Sequence, residues 1–280
     1  MEQIGFIGAG KVGTSLGKYL KLRGLNVSGY YDKLDELSLY ASKETASEHF
    51  AELSQIVEVS DVLFITVNDD AIPAVWEKLR CLPMAGKYVF HCSGALASDV
   101  FAGSEKLGSH VGSMHPVCAV KDNNSADAFF GKFFVLEGDE KGLEMLKKLM
   151  DKTENRYCVV GRTKKAKYHA AAVASSNLVC ALAQMGEDWL TDCGFDSETA
   201  HEILIPLMKG NIDNLASKGC VEALTGPVER GDTGTVKKHL DVLEGIDREI
   251  YRLLSLRLID IAQAKNPNKD YTNLKEVLIK

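Results

Sequence analysis

Three glycines, Gly8, Gly10 and Gly13, mark the passage from an apolar pentapeptide, Gln3–Ile7, into the first turn of an amphipathic run, Lys11–Leu22, with Val12, Leu16, Tyr19 and Leu20 on one face. This placement constrains the chain more than any other feature. The first glycine permits a tight turn, the second a close approach to the backbone, and the third close packing of helix on strand. The amides that open the helix then form a favourable seat for a phosphate group. Gly-x-Gly-x-x-Gly alone is a weak pattern. Here it leaves a strand, opens a helix, and is followed by an acid, Asp32, at the end of the next strand and 19 residues beyond Gly13. Gly8-Ala9-Gly10-Lys11-Val12-Gly13 therefore reads as a dinucleotide-binding turn, with Asp32 as the carboxylate that accepts from a ribose. A carboxylate there repels a 2′-phosphate and favours NAD, whereas Lys33 beside it can meet that phosphate. NAD and NADP both stay open, with NAD preferred.

The rest of the first half repeats the alternation. Strands are expected at Leu25–Tyr31, Asp61–Val67, Lys87–Cys92, Ser109–His115, Phe133–Glu137 and Tyr157–Val160. Helices are expected at Glu52–Val59, Asp69–Leu79 and Glu140–Lys152. The run Asp61–Val67 is apolar after its first residue, as in a parallel strand covered on both faces. After Gly161 the pattern changes to helices, at Lys164–Leu190, Glu198–Ser217, Thr235–Leu243 and Ile246–Ala264, broken by Gly194, Gly210, Gly219 and Thr225-Gly226-Pro227. The expected architecture is an α/β domain over 1–161 with a doubly wound parallel, Rossmann-like sheet, followed by an all-α domain over 162–280.

Composition narrows the function classes. A net charge of −6 without clustered basic residues argues against a nucleic-acid surface. The seven cysteines, Cys81, Cys92, Cys118, Cys158, Cys180, Cys193 and Cys220, are scattered with no Cys-x-x-Cys pair. They suit reduced thiols in a cytoplasm and indicate no metal site. No signal peptide is read at the N-terminus, and the uncharged stretch Ala170–Gly186 is too short and too polar for a membrane span.

Taken together, GFIGAGKVGTSLGKYL, DVLFITVNDD, HCSGA, SMHPV, YHAAAVASSNLV and ALTGPVERGD resemble a family of two-domain Rossmann-like oxidoreductases whose C-terminal part is a domain of unknown function. More distant relatives are pyrroline-5-carboxylate reductase, ketopantoate reductase, prephenate dehydrogenase and the 3-hydroxyacid dehydrogenases. The resemblance spans residue 3 to about 265. It implies a nicotinamide cofactor in the first domain and a helical second domain that dimerises. It also implies that Thr66, Val67 and Asn68 lie beside the cofactor's ribose and nicotinamide, with Cys92 and Ser93 at the end of the next strand. His115-Pro116 is similar to the His-Pro pair at the substrate site of prephenate dehydrogenases. In 3-hydroxyacid dehydrogenases a catalytic lysine precedes an asparagine by four residues; if Asn177 is that asparagine, Val173 stands where the lysine would be.

Hydride transfer to a carbonyl needs a proton donor, whereas an iminium needs none. His115, at a strand end, and His169, on the first long helix, are the candidate donors, because imidazole titrates near neutral pH. Asn177, two turns beyond His169, can position a substrate, and Ser93 can either cap the following turn or touch substrate. Arg230 can hold a substrate carboxylate or form a surface ion pair, and Asp232 caps the helix near Thr235. Lys164, Lys165 and Lys167 read as a solvated basic face. The expected function is NAD(P)-dependent oxidation or reduction of a small polar metabolite, a carbonyl/alcohol or imine/amine pair, with the site between the domains. The alternative is a non-catalytic dinucleotide sensor. Apolar residues on several sides of the last long helix (Leu253, Leu254, Leu256, Leu258, Ile259, Ile261) point to a homodimer through the C-terminal helices.

Overall fold

The computed structural model describes residues 2–279. Its contacts divide the chain into a first unit through Ser175 and a second from Ser176. In the first unit run β1 (Gln3–Ile7), α1 (Lys11–Leu22), β2 (Asn26–Tyr31), α2 (Asp35–Thr45), β3 (Glu48–His49), α3 (Leu53–Val59), β4 (Val62–Ile65), α4 (Ile72–Leu79), β5 (Tyr88–His91), α5 (Ser104–Leu107), β6 (His110–Pro116), β7 (Phe133–Gly138), α6 (Glu140–Thr153), β8 (Arg156–Val159) and α7 (Lys165–Ala174). Among the described residues the strands form one sheet in the order β3-β2-β1-β4-β5-β6-β7-β8. Neighbouring pairs are parallel except β6 with β7. The chain returns from Pro116 to Phe133 through a loop with only one short 3₁₀ turn, and without a crossover helix the next strand pairs antiparallel.

The order reverses between β1 and β4, which is where open α/β sheets bind ligands beyond the carboxyl ends of their strands. The sheet is apolar on both faces. On one, Tyr30, Phe6, Phe64 and Phe90 stack from β2 to β5 with ring centroids 5.2, 5.6 and 5.6 Å apart. On the other, Ile7, Leu63, Ile65 and Val89 pack with Trp76 of α4. Two buried layers fix strand register, because a one-residue slip would exchange the faces.

The second unit holds α8 (Asn177–Asp192), α9 (Ser197–Ala223), α10 (Pro227–Arg230), α11 (Thr233–Val242), α12 (Gly245–Lys265) and α13 (Thr272–Ile279). Its core joins Val228, Val236, Leu240, Ile259, Tyr271, Leu274 and Leu278. Asp232 caps α11 as the sequence implies, accepting from Thr235 N–H at 3.0 Å. Gly210 does not interrupt α9, but Gly219 does, at φ 74° and ψ 171°.

The expected single helix over 164–190 is two helices, ending at Ala174 and restarting at Asn177. Ser175 and Ser176 fill the break, and serine hydroxyls compete with helical backbone bonding. The contacts also divide the chain later than the change of pattern at Gly161. Lys165 and Tyr168 of α7 are hydrogen-bonded to Ser93 and His115, which ties this helix to the sheet. The segment between Tyr31 and Glu52, to which the sequence assigned no element, forms α2 and β3. No described helix is long and apolar enough to cross a membrane.

Candidate active site

At the β1–β4 reversal lies a cleft of about 410 Å³ whose lining includes Gly8, Gly10, Asp32, Lys33, Thr66, Val67, Asn68 and Lys78. The glycines divide the work. Gly8 takes φ +107°, a region that side chains disfavour. A methyl on Gly13 would stand 2.2 Å from the Gly8 carbonyl oxygen and 2.5 Å from Thr66 Oγ1, so this glycine lets α1 seat on the strand ends. A methyl on Gly10 would meet nothing within 4 Å, because Gly10 faces the cleft. Lys11 is exposed and Val12 half-buried in the first turn of α1, which carries no acidic residue. Its amides therefore suit an anion. This cradle fits a dinucleotide pyrophosphate.

Asp32 is built into the turn as well as the cleft. Its carboxylate accepts from Ala9 N–H at 2.7 Å and Leu34 N–H at 3.0 Å. Thr66 Oγ1 donates to the Gly8 carbonyl at 2.6 Å, and Thr14 Oγ1 to that of Ala9 at 2.9 Å. Ala9 is fully buried. Cys92 does not line the cleft; burial pushes its thiol up to about 12, so it keeps its proton.

Asp69, which follows Asn68, is bonded to a polar cluster at the ends of β5 and β6. Ser93 Oγ donates to Asp69 at 2.6 Å and accepts from Leu96 N–H at 3.0 Å. His91 is fully buried, with Nδ1 accepting from Ser93 N–H at 3.1 Å and Nε2 facing the Ala97 carbonyl at 3.4 Å. Glu137, buried on β7, accepts from the amide and hydroxyl of Ser98, both at 2.7 Å. The turn after β5 is thus tied down on both sides. Ser93 is primarily its builder.

Against this turn α7 presents Lys165, Tyr168 and His169, spaced i, i+3 and i+4 on one helix face. Lys165 is 1% exposed and its Nζ donates to the Ser93 carbonyl at 2.9 Å. Tyr168 Oη lies 2.6 Å from His115 Nδ1. The His169 ring stands edge-on to that of His115, 5.7 Å between centroids. A Cβ on Gly94 would come within 2.3 Å of His169 and 2.9 Å of His115 Nε2, so the imidazoles close over a position that admits only glycine. Burial, then the Lys165 and His169 charges, push His115 down to about 4. Burial pushes Lys165 down to about 8, opposed first by Glu137.

His115, His169 and Ser93 are therefore brought together. Asn177, the first residue of α8, and Arg230, ending α10, are exposed in the second unit. Lys165 and Tyr168 are the site residues that sequence reasoning missed, since Lys165 was counted with a solvated face. The Lys-x-x-Tyr-His spacing was the available signal. No group of three or more potential metal ligands occurs among the described residues.

Residues 2–116 match a Rossmann-like domain and residues 132–258 a domain of unknown function, DUF2520. No curated protein sequence matches the chain. Among solved structures, the protein TM1727 of Thermotoga maritima is 27% identical with a TM-score of 0.74, covering 94% of this chain and 99% of its own. BF3122 of Bacteroides fragilis, an inferred NADP oxidoreductase, is 20% identical with a TM-score of 0.69, covering 92% and 98%. A reductive aminase of Aspergillus terreus, in complex with NADPH and ethyl-5-oxohexanoate, is 12% identical with a TM-score of 0.61, covering 100% and 90%.

Proposed function

We propose that this chain, in which a Rossmann-like domain is joined to a DUF2520 domain, is an NAD(P)-dependent oxidoreductase acting on the C=O or C=N bond of a small polar metabolite. The observation that carries the reading is the hydrogen-bonded link between two features. A glycine-floored cleft at the sheet's reversal is lined by Asn68, and the next residue, Asp69, accepts a hydrogen bond from Ser93 of a buried cluster of imidazole, phenol and ammonium groups. Gly10 and the first amides of α1 would hold the pyrophosphate, Asp32 the adenosine ribose, and Thr66–Asn68 the nicotinamide half. When bound, the cofactor supplies or accepts the hydride.

The chain's own residues do the rest. Ser93, held by Asp69 and by Lys165, fixes the turn on which a substrate would rest. His115 and His169 present their ring edges above Gly94, as hydrogen-bond partners for the atom that gains or loses a proton. Lys165, at the start of α7, is a buried ammonium bonded to the Ser93 carbonyl. A sensor without chemistry would not require so many ionisable groups to be withdrawn from water, which is costly. The helices of the second unit leave apolar residues uncovered, and we assign them to a homodimer.

Two measurements test the reading. Titration of the protein with NADH and NADPH, followed by cofactor fluorescence, should show saturable binding of at least one. Oxidation of the bound cofactor should then accelerate with a member of a panel of 2-oxo acids, ketones and cyclic imines. Absence of binding to either dinucleotide would overturn it.

A further inference from the structure

Two residues of the α7 face bear on the ring of His115, from different directions. Tyr168 reaches its Nδ1 edge at 2.6 Å, while the buried Lys165 ammonium is fixed beneath the same turn by the Ser93 carbonyl. We propose that Tyr168 and Lys165 are positioning residues that hold His115 as a neutral imidazole with its proton on Nε2, so that the site offers a hydrogen-bond donor to a substrate oxygen and takes carbonyl rather than iminium substrates. This rests on reading the cluster as the substrate site.

The tautomer follows from hydrogen-bond accounting. Burial pushes the Tyr168 phenol up to about 12, so it keeps its proton. Among the described residues its hydroxyl is hydrogen-bonded to His115 Nδ1, at 2.6 Å. With the O–H donating, Nδ1 accepts, and the single proton of a neutral ring sits on Nε2. That nitrogen lies 2.9 Å from where a Cβ on Gly94 would stand.

The charge state follows from what surrounds the ring. From α7 it faces Lys165, Tyr168 and His169, and His91 and Cys92 lie on the β5 side. The nearby carboxylates have donors of their own: Asp69 takes the Ser93 hydroxyl, and Glu137 takes Ser98 and faces Arg162 at 3.6 Å. Lys165 therefore meets His115 as an unfavourable neighbour for an imidazolium, and burial acts in the same direction.

A neutral Nε2–H complements the lone pairs of a carbonyl oxygen. An iminium nitrogen has no lone pair to accept it and would bring a second cation towards Lys165. As hydride adds to the carbonyl carbon, the π pair moves onto oxygen. That oxygen takes the Nε2 proton while the Tyr168 hydroxyl proton moves onto Nδ1; return of the Nδ1 proton to the phenolate and uptake of one solvent proton at Nε2 then restore the starting tautomer. The relay runs downhill because an alkoxide is more basic than a phenolate.

The test is histidine ¹⁵N NMR on the full chain without cofactor, the His115 signals being assigned with His115→Asn. His115 should be neutral with its proton on Nε2 at pH 7 and should stay mostly neutral down to about pH 5. Tyr168→Phe should mix the tautomers. Lys165→Met should move the midpoint up by about one pH unit or more. If Lys165→Met does not fold, Tyr168→Phe decides alone. An imidazolium at pH 7, a proton on Nδ1, or a ring indifferent to both substitutions would overturn the proposal. Dinucleotide titration separates the two readings: binding with the wrong tautomer sinks only this inference, and the right tautomer without binding sinks only the proposed activity.

Discussion

His115 and His169, 54 residues apart in sequence, meet edge to face with their ring planes at 88°. One lies on a sheet strand and the other on a helix that follows the last strand, so neither is placed by local sequence alone. Gly94 makes the meeting possible, as any side chain there would occupy the space of both rings.

Gly94→Ala should therefore separate the imidazoles while leaving the dinucleotide cleft alone. A methyl forced into packed surroundings costs roughly 1–3 kcal/mol, so the variant should fold with a lowered melting temperature. Histidine NMR should show displaced His115 and His169 signals, and dinucleotide titration should match wild type. Unchanged imidazole signals would show that the contact is dispensable.

The glycine turn yields a contrast between Gly10 and Gly13. Gly10→Ala points a methyl into open cleft and should leave thermal stability unchanged. It should weaken dinucleotide binding about 10–100-fold, the equivalent of losing one charge-assisted hydrogen bond. Gly13→Ala collides with the Gly8 carbonyl and Thr66, and should destabilise the unit itself. Melting curves and cofactor titrations on both variants check this, and equal behaviour would refute the division of roles.

Most of the first unit's sheet was legible because its strands are covered on both faces and read as apolar runs, as at Val62–Ile65. Strand β3 has two residues and α2 a polar sequence, so neither carries a periodic signal. The turn after β6 was legible as a loop, but not the reversed direction of β7, which depends on the absence of a crossover helix. In the site, the glycine turn and Asp32 could be read from spacing, and Thr66–Asn68 from the family resemblance. The polar cluster could not, because Lys165 is exposed or buried according to where α7 docks, and only the docking withdraws it from water.

Acid sensitivity follows from the buried imidazoles. Burial, then the Lys165 charge, pushes His91 down to about 4 from an ordinary value of 6.5. The folded pKa is the lower one, so below pH 6.5 the unfolded chain takes up a proton that the native state refuses until about pH 4. Stability is complete above the unfolded value and falls through that window, by about 3 kcal/mol from His91. His115 acts in the same window. Lys165 acts only between about 8 and 10.5, and Glu2 only below 4.5. Urea unfolding at pH 7.5 and pH 5 should show the loss, and His91→Asn should reduce it.

The second unit predicts an assembly. Helix α8 has no buried residue, and α9 buries only Ala200 and Ala223 along its length. Leu207 and Ile212 on α9 are 67% and 53% exposed, and Leu253 on α12 is 54% exposed. Apolar helix surface of this extent calls for a partner. Light scattering at micromolar concentration should give a dimer mass, and Leu207→Glu with Ile212→Glu should give a monomer that keeps the first unit's dinucleotide binding. A wild-type monomer would count against the assignment.

Cofactor choice turns on opposed charges lining the cleft, Asp32 against Lys33 and Lys78. The Asp32 carboxylate is held in place by Ala9 and Leu34, so it cannot swing away from a 2′-phosphate. Both lysines are exposed and can move to meet one. The fixed charge should prevail, giving tighter binding of NADH than of NADPH. Asp32→Asn should then raise NADPH affinity by about 10-fold, the scale of one partly screened charge contact. It should lower NADH affinity through the lost ribose acceptor. Lys33→Ala and Lys78→Ala should weaken NADPH and leave NADH untouched. Paired titrations of both cofactors against the three variants decide the matter: NADPH preference in wild type, abolished by either lysine substitution, would show that the mobile charges control the site.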